Sequence, residues 1–138
     1  MVRSKSLKPL AATFFISGIW DLFATFVYAF LIGTVFTDPP VGRFYALFIA
    51  SFLLCFAYLQ ILSAFNIGRY LLVIGGVTIG RVLYVVLLYA YILGVPGFPP
   101  TFWWTGVVDL LWSVLYIILA VGVGIPVRDL FLPHREEI

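Results

Sequence analysis

The chain has 138 residues, of which 64% are hydrophobic and only 10% charged, with a formal net charge of +2. A soluble domain needs about a quarter of its residues charged, and a disordered one needs low hydrophobicity, so both classes are excluded. A charge this small and dispersed also excludes a nucleic-acid surface. What remains is an integral membrane protein.

Four stretches match the ~20 apolar residues that a helix needs to cross a bilayer. The first runs from about Leu10 to Phe36. Its basic start invites a signal-peptide reading. An apolar run of 27 residues with no small-residue cleavage site after it points to a membrane anchor instead. Asp21 lies inside it, and residues three and four away share its face: Ser17, Gly18, Ala24, Thr25 and, one turn further, Tyr28. Thr37 to Arg43 is a turn, because Pro39 and Pro40 cannot continue a helix.

The second span covers Phe44 to Phe65. Phe44, Phe48, Phe52 and Phe56 recur every four residues and predict a lipid-facing stripe, while Ser51, Cys55 and Tyr58 offer a polar face without charge. Cys55 reads as a small apolar packing residue. After the Asn66 to Arg69 connection, the third span runs from Tyr70 to Leu93 with Arg81 at its middle and Thr78 and Tyr84 beside it. Gly76 and Gly80 form a small-xxx-small pair that suits close helix approach. Gly94 to Thr101 is the third break. The fourth span covers Phe102 to Ile125 and ends at Pro126. It carries Asp109, with Thr105, Gly106, Trp112, Ser113 and Tyr116 on the same face. His134, Arg135, Glu136 and Glu137 read as a solvated tail.

Lysines and arginines in short loops set orientation. Arg3, Lys5, Lys8, Arg69, Arg128 and Arg135 lie at one end and Arg43 alone at the other. Both termini are therefore expected in the cytoplasm, with Trp103 and Trp104 at the outer interface and Tyr70 at the inner one. The fold class is an all-α bundle of four transmembrane helices, N-in and C-in, forming a single domain with short loops.

Three ionisable residues lie at depth: Asp21, Arg81 and Asp109. Asp21 and Arg81 each sit about 16 Å into their spans and share a level, while Asp109 lies about 24 Å from the cytoplasmic end of its helix. Ionisable residues in spans face the bundle interior and pair. The expected polar core is Asp21, Arg81 and Asp109, fenced by Tyr28, Tyr58, Tyr84, Trp112 and Tyr116. Two acids and one arginine leave one negative charge over, so either a carboxyl is protonated or a ligand or cation supplies the balance.

Much chemistry is excluded. One cysteine allows no internal disulfide, redox pair or thiolate cluster. One histidine cannot hold a haem from both sides, and no lysine follows Lys8 to form a Schiff base at depth. No phosphate-binding loop, nucleophile elbow or zinc motif occurs. No metal or cofactor is expected. Three functions stay open. The first is an accessory or assembly subunit whose Asp–Arg–Asp cluster fixes helix packing. The second is binding or transport of a lipophilic ligand, ion or proton at that cluster. The third is an intramembrane enzyme acting on a lipophilic substrate, for which nothing supplies a nucleophile–base pair. The expected partners are the lipid bilayer, further copies of the chain or a larger membrane complex, and a lipophilic ligand.

Spans one and four share a G-x-x-D-L pattern, Gly18 to Leu22 and Gly106 to Leu110. Together with Gly18-Ile19-Trp20-Asp21, the pieces Ala57-Tyr58-Leu59, Gly80-Arg81-Val82 and Gly106-Val107-Val108-Asp109-Leu110-Leu111-Trp112 resemble small four-span membrane proteins that are DoxX-like in size and architecture. The likeness covers about Phe14 to Leu119, with Arg81 where a lysine is common in that group. It implies an architecture and a shared polar centre, not a reaction.

Overall fold

A computed structural model describes residues 6–37 and 42–133. Arg3, Lys5, the Pro39-Pro40 pair and the tail residues His134, Arg135, Glu136 and Glu137 lie outside the described residues. The order of elements is α1 (Lys8–Phe26), a π-helical turn (Val27–Leu31), α2 (Arg43–Ala64), α3 (Leu71–Gly94), α4 (Trp103–Gly122) and α5 (Val127–Phe131). No strand occurs among the described residues. Four of these segments, Lys8–Leu31, Arg43–Ala64, Leu71–Gly94 and Trp103–Gly122, are long and apolar enough to cross a membrane. The chain thus has the build of a small multi-pass membrane protein.

Pro9 stands in the first turn of α1, where its missing N–H costs nothing. The first span was expected to reach Phe36 but stops being helical at Leu31. Gly33 adopts φ +76°, a left-handed conformation that a helix cannot continue through. The chain closes on itself there, with Gly33 N donating to Phe36 O at 2.8 Å and Phe36 N to Leu31 O at 2.9 Å. Arg43, at the start of α2, reaches back and donates to Ala29 O at 2.5 Å and Ile32 O at 3.4 Å. A cation thus satisfies carbonyls that the end of the helix leaves open.

The fourth helix ends by a Schellman motif. Ile125 N donates to Ala120 O and Gly124 N to Val121 O, with Gly124 at φ +90°. Pro126 then starts α5, an element that the span pattern does not reveal. It folds back on α3. Leu130 is fully buried, and its carbonyl lies where a Cβ on Gly75 would stand. The helix contact made possible by glycine on α3 is therefore at Gly75. Gly76 has open space beside it, and Gly80 meets the ring of Phe56.

The bundle is two antiparallel hairpins, α1–α2 and α3–α4, each packed closely within itself and more loosely against the other. The repeated G-x-x-D-L pattern explains the first part of that. A Cβ on Gly18 would stand 2.9 Å from Ile61 Cγ1 of α2, and one on Gly106 would stand 2.9 Å from the Tyr89 ring of α3. Each glycine draws its helix against its hairpin partner, where backbone approach and packing drive association in lipid. Ala46, Ala50 and Ala57 do the same along α2.

The two ends of the bundle differ. The end holding the start of α1 and all of α5 contains a dry core of Leu10, Phe14, Ile74, Tyr116, Ala120 and Leu130. Phe14 and Tyr116 meet there edge to face at 5.2 Å between ring centres. The opposite end, bearing the 32–36 turn and the 95–102 connection, is the looser half, where a cavity lies between the helices.

Candidate functional site

All four long helices contribute to one polar network at the boundary between the two halves. Arg81 Nη2 of α3 donates to Asp21 Oδ2 of α1 at 2.8 Å, and Arg81 Nη1 donates to Asp109 Oδ1 of α4. The equal depth of Asp21 and Arg81 expected from sequence puts them in register. The length of the guanidinium fork lets one arginine serve two acids on two helices. This joins the hairpins across their looser contact.

The fourth helix enters through a residue outside the expected polar core. Gln60 of α2 is fully buried and donates Nε2 to Asp21 Oδ2. Its Oε1 accepts from Ser17 Oγ at 2.6 Å, from Tyr116 Oη at 3.2 Å and from Arg81 Nη2 at 3.4 Å. Tyr116 Oη also donates to Ser17 Oγ. The one proton of Tyr116 Oη is shared between Ser17 and the Gln60 carbonyl, that of Ser17 between the Gln60 and Phe14 carbonyls, and the Gln60 amide donates to Asp21. Gln60 is the chain's single glutamine. The signal was there: Ala46, Ala50, Ala57 and Gln60 follow the 3-and-4 spacing of one helical face.

The expected polar face of α2 is on the wrong side. Tyr58 is 62% exposed, and Ser51 and Cys55 are exposed too. Close packing at Gly18 turns the Ala57–Gln60 face inward, and Tyr58, two residues before Gln60, points away. Tyr58 therefore does not fence the cluster, and Cys55 is not a core packer. Of the phenylalanine stripe, Phe44, Phe48 and Phe52 face outward, while Phe56 turns inward against Gly80.

The other expected fence residues divide between the two halves. Tyr116 is in the buried Ser17–Gln60 part of the network. Trp112 packs partly buried against the apolar core, its Nε1 buried without a hydrogen-bond partner. Tyr84 lies on the other side, 2.6 Å from Thr105 Oγ1. Because Thr105 donates its own proton to Phe102 O at 2.7 Å, Tyr84 is the donor of that pair. Tyr28, in the π-helical turn, packs 6.1 Å from the ring of Phe102.

Tyr28, Tyr84 and Thr105 line a cavity of about 230 Å³ in the looser half, with Asp21, Arg81 and Asp109 on its wall. Trp104, expected at the membrane interface, closes one side edge to face with Trp20 at 6.0 Å. Ser17, Gln60 and Tyr116 do not line the cavity. The two acids are held unequally. Asp21 Oδ2 accepts from both Gln60 and Arg81, and its side chain is 6% exposed. Among the described residues Asp109 accepts at its carboxylate from Arg81 alone, and its side chain is 16% exposed. The carboxylate with coordination to spare is the one on α4.

Compared with protein families, curated proteins and solved structures, the chain matches none, so its four-span likeness rests on its own residues.

Proposed function

We propose that this protein binds a lipophilic ligand in the cavity between its two hairpins, with Asp109 holding the ligand's polar group. One observation carries the reading: a cavity of about 230 Å³, walled mainly by apolar and aromatic side chains, with a carboxylate on its wall that has a single donor among the described residues. Ligand sites are mostly apolar concavities with a few convergent polar groups. The dry core beneath the network, from Leu10 and Phe14 to Leu130, supports binding rather than passage through the bundle.

A second reading, an accessory or assembly role with the cluster fixing helix packing, has support in the Ser17–Gln60–Tyr116 part of the network, which does not line that cavity. The two readings assign different halves of one network. Both termini are placed in the cytoplasm on the basic residues at their end, Lys8, Arg69 and Arg128 among them. Arg43, the exception at the other end, is engaged by the carbonyls of Ala29 and Ile32.

Filling the cavity tests the binding reading. Ala24 lines it, and Ala24→Phe occupies part of its volume. A neutral alkylbenzene titrated into the protein in lipid nanodiscs is expected to alter the fluorescence of Trp20 and Trp104 saturably in the wild type and not in Ala24→Phe. Absence of a saturable signal in the wild type, both with this probe and with a benzyl probe that carries a polar head, removes the reading.

A further inference from the structure

The composition of the cavity wall names the chemical class of the ligand, on the footing that the cavity is a binding site. Seven of the sixteen lining residues are aromatic, against 19% aromatic residues in the whole chain. Trp20, Trp104, Phe102, Tyr28 and Tyr84 present rings from three helices and the α3–α4 connection. The charged residues on the wall are Asp21, Asp109 and Arg81, a formal sum of minus one. The other described charges, Lys8, Arg43, Arg69, Arg128 and Asp129, stand at helix ends and do not line the cavity.

These facts select a cation. An anionic head would meet two carboxylates with one arginine already divided between them. A neutral head would leave the extra carboxyl to be balanced by a proton, whereas a cation balances it as a carboxylate. A bare metal ion calls for a shell of oxygen ligands, which a wall of aromatic rings does not supply. An organic ammonium satisfies both parts of the wall at once. Its charge pairs with Asp109, and its alkyl groups lie on the faces of aromatic rings, which attract cations electrostatically. We infer that the cavity binds a small lipophilic ammonium ion, its charged head beside Asp109 and its apolar body among the rings of Trp20, Phe102 and Trp104.

The test uses the full chain in nanodiscs of zwitterionic lipid and two probes of one shape, benzyltrimethylammonium and its uncharged carbon isostere neopentylbenzene. Tryptophan fluorescence is read against protein-free nanodiscs. The cation is expected to bind saturably and at least ~10-fold more tightly than the isostere. Asp109→Asn is expected to bring that ratio close to one, and Asp109→Glu to retain it. Asp109→Asn leaves Asp21 and Arg81 as a balanced pair, so the fold is expected to survive it.

Equal binding of the two probes by the wild type overturns the inference and leaves the cavity reading standing. So does tighter binding of the isostere, or a ratio that Asp109→Asn does not change. Binding of neither probe overturns the cavity reading and this inference together. The wild-type ratio needs no variant to fold, so the inference stays falsifiable if the substitutions fail.

Discussion

Gln60 donates its amide to Asp21 while its carbonyl accepts from Ser17, so a helix with no charge at this depth holds the acid of its neighbour in place. Both groups are buried, and loss of one partner of a buried polar pair leaves the other desolvated. Gln60→Leu is expected to lower stability by ~1–3 kcal/mol, read as a fall in thermal midpoint in detergent. Gln60→Glu places a third carboxyl beside Asp21 and is expected to be worse than Gln60→Leu. The reverse order would mean that volume, not charge, governs the site.

Arg81 is the joint between the hairpins. Arg81→Met leaves two buried acids without a cation, a class of change that costs ~3–5 kcal/mol. The expected result is loss of monodisperse protein on size-exclusion chromatography. Arg81→Lys keeps the charge but lacks a fork able to reach two helices, and is expected to fall between the wild type and Arg81→Met. Replacing both acids by Asn in the Arg81→Met background is expected to recover protein. Failure of that rescue would mean that shape rather than charge holds the joint.

Adjacent glycines on α3 provide a matched pair. Gly75→Ala puts a methyl group into the Leu130 carbonyl, whereas Gly76→Ala enters open space. Gly75→Ala is expected to release α5 and increase hydrogen exchange over Val127–Phe131. Gly76→Ala is expected to be neutral or to stabilise by up to ~1 kcal/mol, the ordinary helical preference for alanine. Equal exchange in the two variants would remove the docking of α5.

Cys55 is exposed in the middle of α2, which is long and apolar enough to span. A spin label on this single cysteine is expected to collide readily with oxygen, which dissolves in lipid, and poorly with a water-soluble nickel chelate. Preference for the chelate would take this face of α2 out of the bilayer.

Orientation is checked by fusion to a reporter active only outside the cytoplasm. Fusion within the 95–102 connection is expected to be active, and fusion after Pro133 silent. The opposite pattern inverts the topology.

Much of this arrangement was legible from spacing and composition. The four apolar runs gave the helices, and equal depth put Asp21 and Arg81 together. Arginine length allowed the second contact to Asp109. What escaped was rotation about the helix axis. On α2 the choice between the Tyr58 and Gln60 faces depends on how closely Gly18 lets α1 approach Ile61, a tertiary relationship with no local marker. The five-residue α5 was hidden for a related reason. Its anchor is one leucine whose partner, Gly75, lies 55 positions earlier in a span rich in glycine. Apolar periodicity also extended α1 to Phe36, because it does not register the left-handed turn at Gly33.

The sealing of one half of the bundle by Leu130, Phe14 and Tyr116 has a kinetic corollary. On the binding reading, a ligand in the cavity has this packed core on one side of it and no path through that half of the bundle in this conformation. On that reading, occupancy in this conformation is a binding equilibrium rather than a passage across the bilayer. Vectorial movement would require a second conformation in which α5 gives up Gly75, making the last short helix the element whose displacement separates a reservoir from a pump.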